Sequence, residues 1–278
     1  MSLWRRPASL AWVNSATLMS RQKLTIIVPA GNEEANIVAC LESCRRIADE
    51  LIVVDSFSQD KTVVLATPIA DRVLQHEYIN SAAQKNWAIP QAAHPWVMIV
   101  DADERVTPEL ADEIEAVLLD PQHDGWRIHR LNHFLGKPIR HCGWNRDKVL
   151  RLFRRDVGRY QERHVHADVI GCERIGALQG RLIHHTCREL ETYMRKHERY
   201  TSWAAKDRAQ TTGRVGFHHL AFHPAWRFLK QYVLRLGFLD GKAGFMVCWL
   251  SAHSAFMKYA KLWETQRRAE SPDDFGKH

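Results

Sequence analysis

The sequence predicts an α/β fold: a β-sheet covered by helices, followed by a helical C-terminal extension. Three observations carry this. Short apolar, β-branched runs alternate with stretches of helical spacing between residues 24 and 121. Each run stops at polar or acidic residues. From Arg188 onward the pattern is helical. Strands apolar on both faces belong to parallel sheets covered on both sides, and such sheets place ligands beyond their carboxyl ends.

Residues 1–22 form a leader in this scheme. Leu24-Thr-Ile-Ile-Val-Pro29 is the first buried strand. A helix is predicted from near Glu33 to about Ala48, with Ile37, Cys40, Leu41, Cys44 and Ile47 at helical spacing. Glu33 and Glu34 then fall in its first turn, where the helix dipole favours acids. Leu51-Ile-Val-Val54 is the second strand, closed by Asp55, and a helix follows from about Lys61. A short strand over 71–75, a helix over 81–93 and the strand Trp96-Val-Met-Ile-Val100 complete the alternation, and a further helix begins near Thr107-Pro108-Glu109. Residues 125–185 read as short strand-like pieces rich in Arg and His. The predicted domains are therefore a leader (1–22), a catalytic domain (23–187) and a helical extension (188–278).

The 278 residues suffice for one large domain, or one of about 200 residues with an appendage. Composition, 45% hydrophobic and 26% charged, excludes disordered and collagen-like classes. The net charge of +7 fits an anionic partner or a solvated basic face. Six cysteines without a CxxC pair suit a reducing, cytosolic compartment, with Cys40 and Cys44 packing in a helix. The N-terminus does not read as a signal peptide, and no apolar run of about 18 residues marks a spanning helix.

Asp101-Ala102-Asp103, just past a buried strand, is the sharpest local feature. Two carboxylates at this spacing can offer oxygens to Mg²⁺ or Mn²⁺, which commonly bridge to phosphates; a helix-start cap is the plainer use. Asp55 and Glu33, at strand ends, can accept from a base or ribose, or simply cap. There is no GxGxxG, GxxxxGK[ST], GxSxG or HExxH.

In combination, these segments resemble the family 2 glycosyltransferases of the GT-A fold. The resemblance rests on Ile27-Val28-Pro29 with Asn32-Glu33-Glu34-Ala35-Asn36-Ile37, and on Ile52-Val-Val-Asp55-Ser56-Phe-Ser-Gln-Asp60-Lys-Thr62. It continues through Ala83-Gln84-Lys85-Asn86 and Val100-Asp101-Ala-Asp103-Glu104-Arg105. The second half, with Arg151-Leu-Phe-Arg154-Arg155, Val165-His166, Leu182-Ile-His184, Tyr200 and Tyr232-Val-Leu-Arg235-Leu-Gly-Phe238-Leu-Asp-Gly241, is similar to lipopolysaccharide core glucosyltransferases of the WaaE type.

The resemblance implies an inverting, metal-assisted transfer of a sugar, glucose from UDP-glucose, to a lipopolysaccharide-core or other glycan or glycolipid acceptor. It implies donor binding by Pro29, Glu33, Asp55, Lys85, Asp101 and Ala102, with Glu33 and Asp55 on the uridine. It implies Mg²⁺ or Mn²⁺ at Asp101 and Asp103, with His166 as a further ligand. A Val-His-Glu step common in such proteins reads Val165-His166-Ala167-Asp168 here. Asp168 is therefore the first candidate for the catalytic base and Glu162 the second, and a sugar-nucleotide-binding relative without full activity is the other outcome.

A nucleotidyltransferase also uses strand-end acids with Mg²⁺, but its first loop is usually basic and Gly-rich, whereas Ala30-Gly-Asn-Glu-Glu34 is acidic. A nucleic-acid binder is disfavoured because the cations form no stripe with aromatics. In residues 221–265, Trp226, Phe228, Leu229, Tyr232, Val233, Leu236 and Phe238 lie among Arg227, Lys230, Arg235 and Lys242. Such helices can lie on an anionic membrane surface, here at the inner face of the membrane. Packing on the catalytic domain, or a homo-oligomer through the C-terminal helices, is the alternative use of the same residues.

Overall fold

The computed structural model describes residues 20–162, 167–209 and 211–271. Strands β1 (Leu24–Ala30), β2 (Glu50–Asp55), β3 (Arg72–Gln75) and β4 (Trp96–Ile99) are parallel, in the order β3-β2-β1-β4. Helices α1 (Ile37–Arg45), α2 (Thr62–Ala66) and α3 (Ser81–Ala88) lie between them in the chain. Burial on both faces explains the unbroken apolar runs. Leu24, Ile26, Val28, Leu51, Val53 and Met98 enter one core with α1, while Ile27, Ile52, Val54, Val97 and Ile99 enter the other with α3. The alternation is the period of two that a strand imposes. Cys40 and Cys44 are buried in α1 as free thiols.

The parallel arrangement expected of this alternation holds for these four strands. Beyond them come β5 (Glu104–Val106), β6 (Gly125–Phe134), β7 (Lys137–Pro138), β8 (Lys148–Arg154) and β11 (Ile175–Cys187); β9 (Arg159–Tyr160) and β10 (Val169–Ile170) form a separate ribbon. The sheet continues β4-β8-β6-β11-β5, with β8 antiparallel to both β4 and β6, and the parallel arrangement recurs once more where β11 pairs with β6. β6 and β11 are longer than the short pieces the sequence suggested.

This order forces the sheet to curl. β4 ends at Ile99 and β5 begins at Glu104, yet they stand four places apart. In a flat sheet that is about 19 Å at ~4.8 Å per strand, while five residues reach at most about 17–18 Å fully stretched. The connection is also no stretched segment: the Glu104 N–H donates to the Asp101 carbonyl at 2.8 Å. The sheet's far edge therefore bends back to its centre, and the turn at the bend is Asp101-Ala102-Asp103.

α4 (Pro108–Leu119) starts as expected, with Thr107 as its N-cap. α1 does not. It begins at Ile37 rather than Glu33, with no acid in its first turn, because Glu33 and Glu34 are held in the preceding loop.

The helical extension comprises α5 (Leu190–Ala209), α6 (Phe217–Leu229) and α7 (Gly241–Glu270). Phe134, Ile139, Cys142 and Cys187 from the sheet side form one core with Val247 and Cys248 of α7. Asp240 fastens the joint by accepting from the His141 N–H at 2.8 Å and the Arg140 N–H at 3.2 Å. Among the described residues no helix is long and apolar enough to cross a membrane.

A Cβ on Gly244 would lie 2.0 Å from the Gly237 carbonyl oxygen. Helix propensity alone would have Gly244→Ala stabilise by up to about 1 kcal/mol. The contact predicts the opposite: a loss of about 1–3 kcal/mol from overpacking, measured by urea unfolding. A stabilised variant would refute this docking of α7.

Candidate active site

The loops after β1 and β2 are stitched together. The Asn32 N–H donates to Ser58 Oγ (2.8 Å), and Asn32 Oδ1 accepts from the Gln59 N–H (2.8 Å). The Glu33 N–H donates to Thr62 Oγ1 (2.7 Å), the Glu34 N–H to Asp60 (3.0 Å), and the Lys61 N–H to Glu34 (3.1 Å). Much of the family-resembling pattern at 32–34 and 58–62 thus builds this clasp. Phe57 within it is half exposed at φ 55°, a conformation unfavourable for a bulky residue.

Pro29, next to last in β1, pairs with Val54, and Ala30, which ends β1, pairs with Asp55, which ends β2. The Asp55 carboxylate is buried and accepts from the Ser58 N–H (3.1 Å) and hydroxyl. The Glu33 side chain accepts from Asn36 Nδ2 at 2.6 Å. Burial, reinforced by nearby Asp103, raises the pKa of Glu33 despite that hydrogen bond.

Gln84, Lys85 and Asn86 divide three tasks. Gln84 donates to the Val54 carbonyl (3.1 Å) and Ser56 Oγ (2.6 Å). Asn86 exchanges two 2.8 Å hydrogen bonds with the Tyr160 backbone. Lys85, 7% exposed at its side chain, places Nζ 2.8 Å from Asp101.

Asp101 also receives the guanidinium of Arg151, which reaches Glu104 at 2.8 Å as well. Arg130 adds a contact to Glu104 at 3.4 Å and a close pair with Asp147. Burial opposes ionisation of Asp101, but Arg151 and Lys85 outweigh it and hold its pKa well below the carboxylate range.

Asp103 meets a different neighbour. His184 Nε2 lies 3.6 Å from its carboxylate, and His184 Nδ1 lies 2.6 Å from Asn132 Oδ1. Burial works against charge on both groups, yet their mutual attraction lowers the pKa of Asp103 and raises that of His184.

These groups face one cavity of about 1170 Å³, lined among others by Lys85, Asp101, Asp103, Arg151, Asp168 and His184. Asp168 pairs with Arg127 at 2.9 Å. Glu162 is exposed and is not among the described residues lining the cavity, nor are Pro29, Glu33, Asp55 or Ala102. His166 lies outside the described residues.

Sequence reasoning gave no role in the site to Arg151, Arg130 and His184, although Arg151 and His184 stood within segments it singled out. A buried cation opposite an acidic turn is the signal, but it becomes visible only with strand pairing.

Among the described residues no three His, Cys, Asp or Glu side chains form a metal cage. Mg²⁺ does not need one, because it is usually held by one or two carboxylates together with substrate phosphates. Asp101 is already neutralised by two cations. Asp103, facing a histidine that can lose its proton, fits such a ligand.

Sheet, strand-end acids and adjoining helices make an α/β enzyme of the GT-A type. A profile of Glycosyl transferase family 2 matches residues 25–173, and the chain belongs to that family of glycosyltransferases. This sets aside the nucleotidyltransferase and nucleic-acid-binding alternatives. The chain is 28% identical over 264 residues to the lipopolysaccharide core biosynthesis glycosyltransferase LpsC of Rhizobium meliloti, covering 92% of this chain and 97% of that one. It is 28% identical over 264 residues to an uncharacterised glycosyltransferase of Rickettsia typhi, covering 90% of each. Among solved structures it is similar to the mannosyltransferase PcManGT of Pyrobaculum calidifontis in complex with GDP-Man and Mn²⁺, at 18% identity and TM-score 0.48, covering 91% of this chain and 81% of that one.

Removing Arg151 would leave the buried Glu104 carboxylate without its closest cation. Arg151→Met should cost about 3–5 kcal/mol, as for one partner of a buried pair, measured by chemical denaturation. A loss below about 1 kcal/mol would show that the network does not support the fold.

Proposed function

We propose that the enzyme transfers glucose from UDP-glucose, with inversion, to a hydroxyl of a lipopolysaccharide-core or related glycan or glycolipid acceptor. The observation that carries this is the meeting of Asp101, Asp103 and Asp168 around one cavity in a family 2 chain. The name of the R. meliloti relative supports the acceptor class.

In this scheme residues 23–187 form the catalytic domain and 188–278 its extension. Glu33, in the loop after β1, and Asp55, at the end of β2, hold the uridine, with Pro29 shaping the floor. Asp101, positioned by Lys85 and Arg151, accepts from the ribose hydroxyls, with the Ala102 backbone alongside. Lys85 balances charge near the diphosphate. Asp103 would hold Mg²⁺ or Mn²⁺, with His166 the further ligand expected from the sequence. The metal, when bound, supplies neutralisation of the departing UDP.

Asp168 takes the proton of the acceptor hydroxyl as that oxygen attacks the anomeric carbon and the bond to UDP breaks. Arg127 holds the Asp168 carboxylate in place, and Glu162 is the second candidate. A transfer assay with the full chain, UDP-glucose and lipopolysaccharide core oligosaccharide tests these roles. Asp103→Ala should abolish turnover. Asp168→Asn should lower kcat by about 10²–10⁴-fold, the usual worth of a general base, without weakening donor binding. Full activity in excess EDTA would sink the metal role. Near-normal turnover of Asp168→Asn would move the base to Glu162, and tighter binding of ADP or CMP than UDP would sink the uridine assignment.

The extension supports a peripheral site at the cytoplasmic face of a membrane. From residue 188 onward there are sixteen Lys and Arg against nine Asp and Glu, an excess equal to the whole chain's +7. Phe222, Trp226 and Leu229 on α6 and Phe245, Trp249, Phe256 and Trp263 on α7 are exposed. On α7 these aromatics recur at the spacing of one helix face. Phe228 and Tyr232, expected on that face, instead pack into the core beside α7. Aromatic faces bordered by cations suit the plane of an anionic bilayer. The full chain should float with anionic liposomes, less so at high salt, and Trp249→Ser/Trp263→Ser should float less. Equal flotation would return this face to self-association.

A further inference from the structure

The cavity has a second end, away from Asp101, walled by the three helices of the extension. Arg208 comes from the last turn of α5, Arg227 from the last turn of α6, and Lys258 from the middle of α7; all three line the cavity. At the sheet end, the cations nearest the acidic turn are paired with carboxylates, Lys85 and Arg151 with Asp101 and Arg130 with Asp147, while Lys148 lines the cavity without such a partner among the described residues. Among the described residues Arg208, Arg227 and Lys258 have no carboxylate within ion-pair distance, and Asp207, which also lines this end, pairs with none of them.

Their charges add rather than cancel. Burial lowers the pKa of Lys258, and Arg208 and Arg227 push it further down. Burial likewise lowers that of Arg227, with Arg235 adding to it. Among the described residues Lys258 Nζ finds only the face of Tyr259, at 4.3 Å. Helix C-termini favour the two arginines by about 0.3–1 kcal/mol each, but they do not explain why a third helix turns Lys258 toward the same space. Converging unpaired cations become favourable when an anion sits between them, and guanidinium groups match phosphate oxygens in paired hydrogen bonds.

We propose that Arg208, Arg227 and Lys258 form a phosphate-binding subsite for the acceptor, so that the enzyme selects acceptors carrying a phosphate group. This rests on the transferase function proposed above, which places the donor at the Asp101 end. It adds a substrate requirement: an acceptor phosphorylated before this transfer, hence a kinase or phosphate-bearing precursor acting upstream.

Calorimetry on the full chain tests it, with inorganic phosphate as the probe and saturating UDP and Mg²⁺ present to fill the donor end. Phosphate should bind wild type at constant ionic strength, at least tenfold more tightly than acetate. Arg227→Gln and Lys258→Gln should each weaken phosphate at least tenfold while leaving UDP affinity unchanged. Arg208→Gln, on an exposed turn, provides the same reading should either of the others unfold, as checked by circular dichroism. Phosphate binding that disappears once UDP is bound, that equals acetate binding, or that survives all three substitutions overturns the proposal. Failure of wild type to bind UDP would instead overturn the donor assignment, and phosphate titrated alone would still report on the three cations.

Discussion

The ion network around Arg151 is the constraint on which the rest depends. Arg151 lies on β8, the strand antiparallel to both β4 and β6, and contacts both Asp101 and Glu104. Those acids bracket the turn through which the sheet's far edge returns to its centre. Lys85 from α3 and Arg130 from β6 complete the set. Four elements distant in sequence are thereby tied at one point, largely shielded from water. Each buried charge would be costly alone, and the arrangement is tolerable because all are paired.

That pairing also divides the two aspartates of the turn. Asp101 faces two permanent cations and stays ionised over the whole physiological range. Asp103 faces a histidine, the side chain most easily discharged near neutral pH. Two carboxylates two residues apart therefore differ in chemistry, because they meet different strands. A fixed anion suits positioning, whereas a carboxylate with a dischargeable partner suits exchange of that partner for a ligand.

The helical extension is more than an appendage. Its cores reach the sheet through Val247 and Cys248, and Asp240 clamps the loop at Arg140 and His141. Once docked, it supplies the far wall of the cavity and carries an aromatic outer face. The same three helices thus close the site on one side and present apolar surface on the other.

Sequence by itself determined the parallel strands, their two buried faces, the acids at their carboxyl ends and the family. These depend on local periodicity and spacing, which the chain encodes residue by residue. It misplaced the start of α1 because the hydrogen bonds that hold Glu33 and Glu34 come from the next loop, some 26–29 residues on. Only tertiary structure decided that the sheet curls, that Asp101 is neutralised by a cation fifty residues later and Asp103 is not, and that cations from three helices converge. Those outcomes depend on strand order, antiparallel pairing and helix docking, which bring charges together across the fold and leave no periodic trace in the chain.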